Sequence, residues 1–234
     1  MRAAELVADL HAIFESGNAN MDIAPRLRAN LAAGESALQQ MSATNLFTLS
    51  EAERRGDPRL GEMRHFHSGV RQQIEAFRQQ NLDLYHQDDP QLPHLIEAKL
   101  VSNLYQRLAQ QFPEAALGVA CSEAAQFCFE SIRRQGAGTD VELVHLKRDI
   151  ERLAAGERQP DHVFVVIARD HATDPEDFAT WNEDAVVCDA SKRLVYPKSE
   201  IAAKFAELQT FTLGSTRTEV LARAHAGTQP SIQN

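Results

Sequence analysis

At 234 residues, with 43% hydrophobic and 24% charged side chains, the chain has the length and balance of an ordinary soluble globular protein, which argues against a disordered or fibrous architecture. Its net charge of -9, with Lys and Arg scattered among acids, argues against a phosphate backbone as partner, so no nucleic acid is expected. No stretch approaches the roughly 18 to 20 apolar residues that cross a bilayer, and Met1-Arg2-Ala3-Ala4-Glu5 lacks the apolar core of a signal peptide, so neither membrane insertion nor Sec-type export is expected.

From Arg2 to about Ala109 the apolar pattern predicts helices. Leu6, Leu10, Ile13 and Phe14 recur at spacings of three and four, which puts them on one face. Leu46, Phe47 and Leu49 open a second candidate, Val70, Ile74 and Phe77 line a third, and Leu95, Ile96, Leu100, Leu104, Tyr105 and Leu108 line a fourth. Gly17-Asn18, Gly34, Gly56-Asp57-Pro58 and the Asp88 to Pro93 stretch supply turns or caps between them. Residues 1–112 thus form a helical N-terminal region. After Pro113 the character changes: a short helix over 121–134 precedes apolar, β-branched runs at 141–146, 163–167 and 185–188 that predict strands. A helical excursion fits 148–155, and an amphipathic helix fits 199–208 after Pro197. The polar tail 226–234 is expected to be mobile. Residues 113–234 are therefore an α+β domain in the order helix, strands, helix.

Three cysteines, an odd count in a chain too large to need stapling, point to thiols in a reducing compartment. Cys121 lies between Leu117-Gly118-Val119-Ala120 and Ser122-Glu123-Ala124-Ala125, which places it at a helix N-terminus, where the positive end of the dipole favours a thiolate. A small cysteine there serves equally well as core filling. Cys128, deeper on the same helix face, and Cys188, inside a strand, read as core. His162 opens a strand that is apolar on both faces, so it stands at a sheet end, where sites are commonly built, although a histidine so placed is often structural. Asp189 closes the next run and lies beside His162 if the two strands are neighbours; a buried carboxylate there needs a partner. A thiol, an imidazole and a carboxylate so ordered have the makings of a nucleophilic triad.

His171, in the polar loop 170–183, is a second candidate base, and Trp181 in that loop either lines a groove or packs over the sheet edge. His65, His67, His86, Asp88, Asp89 and His94 lack the tight spacing of a zinc site, and Gly136-Ala137-Gly138 lacks the lysine and preceding strand of a phosphate loop. No metal or cofactor is expected.

The set Cys121-Ser122-Glu123-Ala124-Ala125, His162-Val163-Phe164-Val165-Val166-Ile167 and Ala185-Val186-Val187-Cys188-Asp189, followed by Val195-Tyr196-Pro197, resembles the papain-like Cys-His-Asp hydrolases of bacterial toxins and type III effectors. That group includes cysteine proteases and glutamine deamidases. The resemblance spans 118–208 and implies a papain-like domain with an antiparallel sheet and a nucleophile-bearing helix. It implies Cys121 as nucleophile, His162 as general base and acid, and Asp189 as orienting acid. It further implies a virulence effector that reaches a host cell by a non-Sec route from the bacterial cytoplasm and acts there on a protein. The chain departs from the pattern at Ala120, where many members have Asn, at Ser191, where they have an aromatic, and at Ala115, where papain-like enzymes have a Gln that helps bind the oxyanion. Backbone N–H groups at the helix start, including that of Cys121, or another side chain would then receive the oxyanion. The departures also suit a reading of another class, a non-catalytic adaptor whose helical half binds a partner.

Overall fold

The computed structural model describes residues 24–86, 88–135, 139–148, 162–207 and 216–225. The helical pattern at 6–14, the glycines 136 and 138, the excursion beyond Arg148 and the tail 226–234 lie outside the described residues.

Helix α1 covers 24–43 and is followed by strand β1 (Leu46–Thr48) and helices α2 (Leu49–Arg55), α3 (Leu60–Gln80) and α4 (Leu92–Gln111). Gly56 closes α2 in the left-handed region at φ 65°, its N–H bonding back to Ala52 and Glu53, and Pro93 sits in the first turn of α4, where its missing N–H costs nothing. Two sequence expectations are corrected here. Leu46 and Phe47 do not open a helix: Asn45, at φ 52°, turns the chain out of α1, and residues 46–48 pair in parallel with strand β2 (Leu117–Val119). Gly34 does not interrupt a helix either. It lies within α1, where a Cβ would meet Val195 Cγ1 at 2.8 Å, so the glycine lets α1 settle directly on the sheet.

Helix α5 (Cys121–Gln135) follows β2, and the rest is a five-stranded sheet with α6 (Ile201–Glu207) on it. Strands β3 (Asp140–Arg148), β4 (His162–Ile167), β5 (Val186–Asp189), β6 (Leu194–Pro197) and β7 (Thr216–His225) lie in the order β6-β5-β4-β3-β7, with every neighbour antiparallel. Every residue of β4 is buried, as its uninterrupted apolar run predicts. β7 carries no apolar run that predicts a strand, because Arg217, Glu219 and Arg223 interrupt its apolar residues; it pairs along β3 with an irregularity between Leu143 and Val144.

One sheet face, carrying Val163, Val165, Ile167, Val186 and Cys188, packs on α5 and shares an apolar core with Ala37 and Met41 of α1, Val70 and Ile74 of α3, and Ala98 and Tyr105 of α4. The helices before residue 113 and the sheet thus bury one another. The opposite face packs Phe164, Val166 and Val187 against Trp181, Tyr196, Ile201 and Phe205. Of the two uses considered for Trp181, packing holds: it is buried, its indole N–H donates to Asp174 O at 3.0 Å, and its ring meets Phe178 edge-on.

Gly118 in β2 is a tight point of the fold, since a Cβ would meet Leu49 Cδ2 at 2.7 Å and the Met63 carbonyl. Gly118→Ala is expected to cost about 1–3 kcal/mol by overpacking. Gly69→Ala, in open space on α3, is expected to gain about 0.5–1 kcal/mol through helix propensity. Urea unfolding of the two variants measures both signs.

Candidate active site

Cys121 is the first residue of α5, delivered there by β2. The helix start is fastened from three sides. Glu123, in the third helical position, accepts the Ala120 N–H at 2.8 Å, half of a capping box. The same buried carboxylate lies 2.9 Å from His67 Nε2 and 3.8 Å from Arg71 Nη1. The Tyr105 hydroxyl donates to Gly118 O at 2.9 Å. Cys121 is half-buried, while Cys128 and Cys188 are fully buried in the core expected of them.

His162 begins β4, opposite Leu146 of β3, and Asp189 ends β5 on the other side of β4. Imidazole and carboxylate meet, with Nε2 2.8 Å from Asp189 Oδ2 and both side chains buried. The Cys121 side chain lies beside the same imidazole, near enough to help raise its pKa. Because Nε2 faces Asp189, Nδ1 is the nitrogen that remains for the sulfur. Asp189 is held in turn: its Oδ1 accepts the Ser191 hydroxyl at 2.9 Å and the Lys192 N–H at 3.1 Å, and the Thr48 hydroxyl donates to Ser191 O at 3.4 Å. The structure therefore brings together Cys121, His162 and Asp189, and adds Ser191, whose position in the sequence stands out only as a departure from the aromatic of the resembled family. The available signal was an aspartate followed two residues later by a hydroxyl in a turn, where such side chains bond locally.

Burial by itself would lower the His162 pKa, but the bonds from Asp189 and Cys121 and their negative charge outweigh it and push the imidazole up to about 9. Burial would raise Asp189; the bond and charge of His162, with Ser191 and the Lys192 N–H, hold it below the usual carboxylate range. A histidine raised above its unfolded value of about 6.5 contributes stability that is complete below that pH. The contribution disappears as pH rises through about 9. In an NMR titration His162 is expected to change charge near pH 9, and at lower pH in Asp189→Asn, where the anion is gone. An unshifted titration common to both proteins would contradict the bridged geometry.

The thiol opens into a cavity of about 480 Å³ lined by Cys121, Ser122, Gln126, His145, Val163 and Leu221, with Arg71 and Lys147 among the charged groups at its wall. Ala115, where papain-like enzymes carry a glutamine, is buried and offers no side-chain donor. His171, the second candidate base, is elsewhere: it bonds Asp140 Oδ2 at 2.9 Å, at the end of β3 remote from His162. Among the described residues no group of His, Cys, Asp and Glu is placed to hold a metal ion, and no helix is long and apolar enough to cross a membrane. Comparison with protein-family models, with curated proteins and with solved structures finds no match to this chain.

Proposed function

We propose that the chain is a thiol hydrolase of the papain-like kind, acting on an amide of a protein through Cys121, His162 and Asp189. The observation that carries this reading is one buried imidazole bonded to a carboxylate that Ser191 and Lys192 anchor, with a half-exposed thiol at a helix start beside it. A cysteine kept only for packing has no need of a charged partner or of an opening into a cleft.

In the proposed reaction the Cys121 sulfur attacks the amide carbonyl and forms a tetrahedral adduct. First-turn N–H groups of α5, which a helix leaves without internal acceptors, receive the oxyanion in place of the absent glutamine. His162 gives its proton to the departing nitrogen, an amine if a peptide bond is cut or ammonia if a glutamine side chain is deamidated. Water, activated by the now neutral His162, then hydrolyses the thioester and restores the pair. Asp189 keeps the ring oriented throughout. Both outcomes share the acyl-enzyme, and the resemblance to toxin and effector hydrolases supports a substrate protein in a host cell.

The test is mass spectrometry of a host-cell lysate incubated with the wild-type protein or with Cys121→Ala. New termini, or glutamine-to-glutamate conversion at defined sites, should appear with the wild type alone. Identical product lists from the two proteins would sink the proposal.

A further inference from the structure

A second cavity, about 740 Å³, opens on the turn that anchors the acid of the triad, with Thr48 and Ser191 in its wall. Thr48 pairs with Val119 of β2, the strand that delivers Cys121, and Ser191 anchors Asp189, so two residues of its wall belong to the supports of the triad. Its charge is lopsided. Arg54, Arg55, Arg59, Lys192 and Arg193 line it against only two carboxylates, Glu51 and Asp57, in a protein whose net charge is -9.

The partners of these groups leave the excess unanswered. Arg54 and Arg55 share Glu51 at 2.8 and 2.6 Å, and Arg59 takes Asp57 at 2.9 Å. Arg193 donates to neutral oxygens, the Ser42 hydroxyl at 2.8 Å and the Leu46 carbonyl. Among the described residues neither it nor Lys192 has an ion-pair partner. The Arg59 and Arg193 guanidinium groups both lie over the Phe47 ring, 4.9 and 5.4 Å from its centroid, which holds two of the donors in place. A guanidinium presents paired N–H groups that match a carboxylate fork. The cavity falls within the roughly 300–1,000 Å³ that takes a multi-group ligand, and it is far larger than a single anion. The overall negative charge of the chain opposes a nucleic acid there.

We propose that this cleft binds an acidic, Asp- and Glu-rich peptide segment of the protein on which the triad acts. The proposal rests on the hydrolase reading for the identity of the partner. The binding itself stands apart from turnover. A segment seated against Lys192 and Arg193 touches the turn that fixes Asp189.

The test uses Cys121→Ala, which cannot turn over, with fluorescein-labelled octaglutamate, octaserine and an octathymidylate as probes read by anisotropy. Octaglutamate should bind about tenfold more tightly than octaserine and weaken as salt is raised. The double variant Arg54→Glu/Lys192→Glu, both residues being exposed, should lose about tenfold in octaglutamate affinity while its circular dichroism melt stays unchanged. Equal binding of octaserine, or an affinity indifferent to the charge reversals, overturns the proposal. Tighter binding of octathymidylate overturns it in favour of a nucleic acid. Failure here leaves the chemistry of Cys121 untouched, because that is read by alkylation of the wild-type thiol.

Discussion

His162→Ala is expected to lower product formation about 10⁴-fold or more, as does removal of a base that acts as one unit with its nucleophile. In the proposed reaction the imidazole has two tasks, keeping the sulfur in its nucleophilic form and protonating the departing nitrogen. Cys121→Ala should be equally damaging, and the double variant no worse than either single one, because the two residues form one device. Asp189 should behave differently. In Asp189→Asn the side-chain oxygen can still accept from Nε2, and Ser191 and Lys192 lie around the same turn, so orientation largely survives while the charge is lost. Asp189→Ala loses both and leaves the buried imidazole without its carboxylate. The order expected in initial rates is wild type, Asp189→Asn, Asp189→Ala, then His162→Ala. A His162→Ala protein within tenfold of wild type would remove the imidazole from the mechanism.

The largest effect on stability is expected at Arg169→Ala. Glu142, in the middle strand pair, has a carboxylate with no accessible surface, and Arg169 grips it through Nε at 2.7 Å and Nη2 at 3.0 Å. Arg169 also donates to Thr173 O at 2.6 Å and lies over the Trp181 ring, so it closes the start of the 170–183 loop on the sheet. Removing it strands a buried charge, which typically costs about 3–5 kcal/mol. Arg223, bonded to the same carboxylate from β7, should keep the loss near the lower end of that range. Changing both partners, Glu142→Leu with Arg169→Leu, is expected to cost less than the sum of the single changes, since no orphaned carboxylate remains. Urea denaturation of the four proteins measures the coupling.

What could be read from the residues alone follows from how local each signal is. β4 announces itself, because a strand buried on both faces needs an unbroken apolar run and His162 to Ile167 has one. The start of α5 is similarly plain, with a glutamate in its third position reaching back to cap it. β7 is concealed by the charges that pair with β3 and with Glu142 across the sheet, and β1 by its shortness, three residues whose partner lies about seventy positions away. Gly34 reads as a breaker in sequence because the contact that requires it, with Val195, lies much further along the chain. In the site, the residue types and order of Cys121, His162 and Asp189 were visible. Their convergence depends on β4 and β5 being antiparallel neighbours, and the anchoring by Ser191 and Thr48 depends on tertiary placement.

The central claim is that Cys121 is a nucleophile activated by His162, and alkylation tests it most directly. Native protein treated with substoichiometric iodoacetamide and mapped by mass spectrometry should carry the label on Cys121 well before Cys128 or Cys188, and His162→Ala should slow that labelling while the protein stays folded. Labelling of Cys121 that is no faster than that of the two buried thiols, or that is indifferent to His162, would contradict the account.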